Sequence, residues 1–309
     1  MKYYVKFSKK LIFSVVLLFS FSFLVAFDWP VVVSGSTVNS QIKTNFAENR
    51  GESFANGFVF STSEEIKASD DGAVLVHINP ENNYYENFTS TLGNALIMAH
   101  KDNMISVYSG FEEISTDCLT GDVEKGTVLG SVNKKSEVED SVENTNPNAK
   151  KIPLPKKDFE FQIIDTKNTV VINPFLLLSK LEKTSPVFPG KIFVVNKKGT
   201  EINLEERKSF ASGIYSIYRE YSAGRMPLKT SVFVNGEETS TINFDTILYK
   251  NSRICVSGKD FYPIEKIYPN NSRQFLGEIE IKRGKNLITV VVTDSLGIER
   301  RIAHTIEAW

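Results

Sequence analysis

The feature that most constrains this chain is its punctuation. Apolar runs of strand length alternate with gaps of turn length: Ala73 to Ile78, Asn94 to Ala99, Met104 to Tyr108, Thr127 to Val132 and Phe159 to Ile164, with Gly, Asn and Asp between them. Runs this short suit half-buried strands joined by tight turns, and no repeat of longer period is visible. A composition of 22 Phe and 11 Tyr against 2 Trp and 11 Pro suits pleated strands better than a helical bundle. The expectation is a mostly β protein.

A second strand set follows: Ile192 to Val195, Ile214 to Tyr218, Thr230 to Val234, Ile242 to Leu248, Gly277 to Ile281 and Asn286 to Thr293. Asn235-Gly236 is the strongest two-residue hairpin signal in the chain, because both positions of a type I′ turn need positive φ. Strands at this spacing predict a small β-sandwich of immunoglobulin-like type over 183–309. Its closing hairpin resembles that of such domains, with an extended strand followed by the D-x-x-G turn of Asp294 to Gly297.

Between the two sets, residues 133–157 are rich in Lys, Pro, Asn and Ser and show no apolar period, so they read as a flexible loop. Asn173-Pro174-Phe175-Leu176-Leu177-Leu178 then closes the first unit, 28–182, with a short helical turn. At the N-terminus, Lys2, Lys6, Lys9 and Lys10 precede an uncharged run from Leu11 to Phe27, and Asp28-Trp29-Pro30 ends it. That order is an export signal. The run is a little long for a cleaved signal and a little short for a span of about 20 residues, so cleavage and retention as an anchor both stay open. Residues 1–27 are the membrane's only contact with the chain on this reading, and the rest lies in the periplasm or cell envelope.

A net charge of −1 excludes a general electrostatic attraction to nucleic acid. Export permits disulfides, but the 2 cysteines, Cys118 and Cys255, fall in different halves. A bridge would clamp the halves together; two buried free thiols are the plainer reading. No G-x-S-x-G elbow, Walker loop or G-x-G-x-x-G cradle is present. Among the 3 histidines, His77 stands at a strand end before Asn79-Pro80, His100 before a turn and His304 in the last strand, and no two have metal-ligand spacing.

Residues 93–130, GNALIMAHKDNMISVYSGFEEISTDCLTGDVEKGTVLG, resemble the central sheet of LytM/lysostaphin-like zinc peptidases. The likeness extends over about 45–178. It includes NRGESFANGFVFS as the opening phrase, Leu119 to Val123 with Lys125 to Gly130 as the glycine-punctuated turn and strand, and Asn173-Pro174 at the close. The resemblance implies an antiparallel LytM-like sheet. In that family an HxxxD motif and the second His of an HxH motif hold zinc, while the first His of HxH and a His in a YxHL segment serve catalysis. Here the HxxxD positions carry Ala55 and Val59. The HxH phrase reads Asp158-Phe159-Glu160-Phe161, so Asp158 replaces the catalytic His and Glu160 the ligand. Tyr108-Ser109-Gly110-Phe111 puts Gly110 at the remaining His.

The resemblance therefore implies a scaffold without its zinc and without another cofactor. It points to a non-catalytic protein that binds or organises the envelope, with peptidoglycan or a cell-wall hydrolase as partner, since degenerate LytM domains elsewhere activate separate amidases. The groove left near Tyr108, Asp158 and Glu160 is the candidate binding site, and the sandwich offers an edge strand for docking. Two rivals remain: a working zinc endopeptidase of peptidoglycan, and a surface spacer with no ligand.

Overall fold

The computed structural model describes residues 27–32, 41–61, 65–79, 92–132, 158–181 and 186–309. The expected signal and the loop at 133–157 lie outside them, except for Phe27 at the signal's end. The described chain is nearly all β, as the run spacing predicts. Its first half forms β1 (Ile42–Thr44), β2 (Phe58–Phe60), β3 (Glu65–Lys67), β4 (Gly72–Ile78), β5 (Ala95–Ala99), β6 (Met104–Ser109), β7 (Glu113–Ile114), β8 (Gly121–Val123), β9 (Val128–Ser131), β10 (Phe159–Asp165) and β11 (Val170–Ile172). The second half forms β12 (Ile192–Asn196), β13 (Glu201–Asn203), β14 (Ser209–Phe210), β15 (Gly213–Glu220), β16 (Lys229–Val234), β17 (Glu237–Lys250), β18 (Arg253–Gly258), β19 (Phe261–Pro263), α1 (Ile264–Ile267), β20 (Arg273–Ile281), β21 (Gly284–Thr293) and β22 (Glu299–Ala308).

In the first half, β2, β10, β6, β5, β4 and β8 lie side by side in that order. The two-residue period of Phe159-Glu160-Phe161-Gln162-Ile163 decides which face each residue takes: Phe159, Phe161 and Ile163 are fully buried, and Glu160 and Gln162 point the other way. Phe58, Phe60 and Tyr108 join the buried side, together with Ile66 and Leu129 from the small β3-β9-β7 sheet. Trp29 closes this core, stacked on Phe58 at 6.1 Å, and its indole nitrogen donates to the Ser179 carbonyl at 2.8 Å. Each buried ring contributes about 1.5–3 kcal/mol over its exposed state.

The second half is a two-layer β-sandwich. One layer is β13-β12-β15-β20; the other runs β14-β22-β21-β16-β17. Ile192, Val194, Ile217 and Ile279 from the first layer interdigitate with Val232, Ile288, Val290 and Ile306 from the second. The predicted turns do what their residues allow: Asn235 and Gly236 take φ of 53° and 87° between β16 and β17. The Asp294 carboxylate accepts from the main-chain nitrogens of Leu296 and Ile298 and pairs with Arg300 at 2.9 Å.

The two halves share both a sheet and a core, which the reading of two separate units does not anticipate. β11 pairs with β17, Val171 opposite Ile247, so one sheet of 15 strands runs through the described residues. Ile242, Phe244, Ile247, Tyr268 and Phe275 of the second half pack into the same cluster as Phe46, Phe54 and Phe161 of the first. Asn173 is the pin: its main-chain nitrogen donates to Asp245 and its side chain to the Phe244 carbonyl, both at 2.8 Å, while its side-chain oxygen caps the short 3-10 turn Pro174–Leu176. The boundary expected near residue 182 falls outside the described residues. Cys118 and Cys255 are buried and free.

Candidate functional site

Antiparallel register brings the family positions onto one patch of sheet. Glu160 lies directly opposite Val59 on one side and Ser109 on the other, so three successive strands place these residues in a row on the face opposite Phe159 and Phe161, with Val59 and Ser109 buried and Glu160 partly exposed. Gly110 follows Ser109 and lies against Asp158: a Cβ built on it would stand 2.2 Å from the Asp158 carbonyl oxygen. Ala55 is fully buried, and its main-chain nitrogen donates to the Glu48 carbonyl at 2.9 Å in the turn that leads into β2. Val59, Glu160, Asp158 and Gly110, far apart in sequence, are thus neighbours.

Tyr108 is a correction to the expected groove. It faces Phe161 across the β6–β10 ladder, and the pleat turns both toward the core. Its ring is fully buried, 5.2 Å from that of Phe161, and its hydroxyl accepts from the Ser69 main-chain nitrogen at 2.9 Å. Burial pushes its phenol pKa upward, and the hydroxyl stays protonated. Ser109, one residue on, takes the opposite face, where it too is buried.

Two ion pairs dominate that face. The Arg50 guanidinium meets the Glu160 carboxylate at 2.9 Å, and the other oxygen of Glu160 accepts from Gln162 Nε2 at 2.9 Å. The Lys43 ammonium meets Asp158 at 2.5 Å. Glu160 is the more enclosed acid, its side chain 19% exposed against 35% for Asp158. Sequence reasoning missed Lys43, Arg50 and Gln162. The local signal for Gln162 was its alternation with Glu160, two residues away on the same face; for the cations no spacing announces a contact formed across more than a hundred residues.

These residues do not fit the family's zinc. Tetrahedral zinc needs imidazole or carboxylate donors at about 2.0–2.2 Å or thiolates at about 2.3 Å. Ala55 and Val59 offer only hydrocarbon, Gly110 has no room for a side chain, and Glu160 is engaged by Arg50 and Gln162. The histidines stand elsewhere. His100 bridges the Asp71 carbonyl at 2.8 Å and the Ser106 hydroxyl at 2.6 Å; His77 lies 3.4 Å from Asn94 Oδ1; His304 lies 3.3 Å from the Lys208 ammonium, and its burial pushes its pKa down. Among the described residues, no group of three or more His, Cys, Asp or Glu is placed to hold a metal ion.

A second polar cluster sits where the halves meet. Glu48 is buried and accepts from Asn45 Nδ2 at 3.0 Å and from the Gly224 main-chain nitrogen at 2.7 Å; desolvation raises its pKa. The Tyr268 hydroxyl donates to the Ala47 carbonyl at 2.9 Å and receives a bond from Gln274 Nε2 at 3.1 Å, and Gln274 in turn accepts from the Arg219 guanidinium. Burial lowers the Arg219 pKa to about 10 and raises that of the neighbouring Tyr221 to about 12. This cluster joins the halves.

One family model, which carries no descriptive name, matches residues 186–308, the sandwich. No curated protein matches the sequence. Similar solved structures include a mutant catalytic domain of the prophage-encoded M23 protein EnpA from Enterococcus faecalis, at 14% identity over 43% of this chain and 87% of that one, with a TM-score of 0.30. A zinc-containing peptidase from Vibrio cholerae is similar at 17% identity over 50% of this chain and 40% of that one, TM-score 0.33. A chain of the SpoIIQ–SpoIIIAH pore-forming complex is similar at 19% identity over 52% of this chain and 98% of that one, TM-score 0.33. Likenesses this distant carry no argument about activity. What this chain is similar to, over about half its length, includes M23 peptidases and a member of a protein complex.

Proposed function

We propose that the chain is an exported, catalytically inactive LytM-type protein that works in the cell envelope by binding: a scaffold, or a regulator of a cell-wall hydrolase. The observation that carries this reading is the Glu160 face. At the positions where the resemblance implies zinc ligands, two residues are aliphatic and the third is a carboxylate held by Arg50. A Lewis acid that activates water needs ligands and an open coordination position, and this face offers fixed charges in their place. Alternating charge on a sheet face suits recognition of a polar peptide, such as a peptidoglycan stem or a loop of a partner protein. The SpoIIQ–SpoIIIAH likeness accords with a protein partner without arguing for one.

The test is zinc content and peptidoglycan hydrolysis measured together on the exported protein with zinc added, beside sedimentation with purified peptidoglycan and capture by envelope hydrolases. The expected result is no stoichiometric zinc, no cleavage, and binding that weakens in E160Q and R50A. One zinc per chain with cleavage would establish the rival endopeptidase. Binding that ignores both substitutions would remove the face from the proposal and favour the spacer.

A further inference from the structure

The sandwich has an open side. β20 ends its four-stranded layer, pairing with β15 and, among the described residues, with no strand beyond it. An outer strand keeps alternate N–H and C=O groups turned away from its ladder, a template for one more strand. The register shift opposite Ile217 and Tyr218 leaves Leu276 as a bulge, so the regular part of the edge starts at Gly277 and runs to Ile281.

Two connected cavities follow this edge. One, of about 580 Å³, lies between Glu278, Glu280 and Lys282 on one bank and Glu237 and Glu238 at the start of β17 on the other. The second, of about 770 Å³, continues from the shared walls Thr239, Lys259 and Glu278 to Phe261, Tyr262 and Phe275. The ends differ in chemistry. At the aromatic end the cations are already engaged: Lys266 pairs with Glu278 at 3.3 Å and sits 4.4 Å from the Phe275 ring centroid, and Arg253 pairs with Glu265. At the Gly277–Ile281 end, Glu237 and Glu280 make no ion pair among the described residues, and with Glu278 already engaged by Lys266 the three carboxylates of Glu237, Glu238 and Glu280 face Lys259 and Lys282.

We propose that this trough is a docking site for an extended basic segment of a partner protein. The segment adds as a strand along Gly277 to Ile281, its Lys or Arg side chains meet Glu237, Glu238 and Glu280, and a bulky apolar side chain at one end enters the cavity beside Tyr262 and Phe275. Main-chain pairing supplies affinity, while the alternate side chains supply selectivity. The acidic bank also explains how the edge stays free of copies of itself, since two such edges repel. The site is separate from the Glu160 face and stands whether or not that face binds a peptide.

The experiment uses the full chain and a synthetic peptide that alternates Lys and Val and ends in Phe. Controls are a peptide with Glu for Lys and one of unchanged charge with Pro at alternate positions. Binding of the Lys peptide, slowed amide exchange confined to 277–282, and no binding of either control is the expected result. E237K/E280K, two exposed substitutions outside both cores, should weaken binding by roughly tenfold, whereas E160Q should leave it unchanged. No binding of the Lys peptide, equal binding of the Pro peptide, protection elsewhere, or indifference to E237K/E280K would each overturn the proposal.

Discussion

The Tyr268 hydroxyl donates to the main-chain carbonyl of Ala47 across 2.9 Å and 221 positions of sequence, and with the Asn173–Phe244 bond it ties the first-half sheet to the sandwich. The halves are therefore expected to unfold as one cooperative body. Around it the Phe54 ring stands 6.1 Å and the Tyr221 ring 4.9 Å from the Tyr268 ring, and the Met226 sulfur lies 3.3 Å from the hydroxyl.

Removing that hydroxyl should be felt by both halves at once. Y268F strands the Ala47 carbonyl and one Gln274 donor, at a cost of about 1–3 kcal/mol. Chemical denaturation followed by fluorescence and by far-ultraviolet circular dichroism should show one transition, shifted together for both probes. Two separated transitions would show that the junction does not couple the halves.

Glu48 makes the junction sensitive to pH. Burial raises its pKa above the ordinary 4.5, so the folded chain binds this proton more tightly than the unfolded chain. The associated stability is fully present below the ordinary value and is lost as pH rises through the raised one. E48Q keeps an oxygen for the Gly224 nitrogen and has no proton to lose. Between pH 4.5 and neutrality the wild type should lose stability relative to E48Q, read as diverging denaturation midpoints. Parallel curves would mean that Glu48 ionises as freely in the fold as outside it.

Placing a histidine at Gly110 should not create a zinc site. The position holds φ of +91°, and any Cβ there meets the Asp158 carbonyl at 2.2 Å, so β10 must move away from β6. Backbone strain and overpacking together cost about 2–5 kcal/mol. G110H is expected to lower the melting temperature and to bind no zinc by equilibrium dialysis. A stable variant with stoichiometric metal would show that the strands yield more easily than their packing indicates.

The Arg50–Glu160 pair should matter little to stability. With the Arg50 side chain 41% exposed, its attraction is screened, and R50A should cost about 0.2–1 kcal/mol. Thermal denaturation of R50A near the wild-type midpoint, alongside weakened binding to the peptide partner proposed for this face, is the expected combination. A large loss of stability would make the pair a structural element instead.

The strands were legible where residues carry the pleat's own period. Phe159-Glu160-Phe161-Gln162-Ile163 announces both the strand and its buried side, and Asn235-Gly236 announces a turn that other residue pairs adopt with strain. Tyr108 shows where this stops. Its strand was legible, but its face depends on which residue of β10 it opposes. A register one residue different would have turned Tyr108 outward and Ser109 inward.

By itself, then, the sequence determined that the chain is mostly β, where most of its strands and turns fall, and that Ala55, Val59 and Gly110 lack metal-binding chemistry, because these are properties of single residues and of short periods. Only the tertiary structure decided that Glu160 stands between Val59 and Ser109, that Lys43 and Arg50 pair with the acids of its face, that β11 and β17 join two halves into one sheet, and that β20 is an edge strand among the described residues. Those outcomes depend on register and on contacts between distant residues, where the energies of packing and pairing are settled between strands and leave no local pattern along the chain.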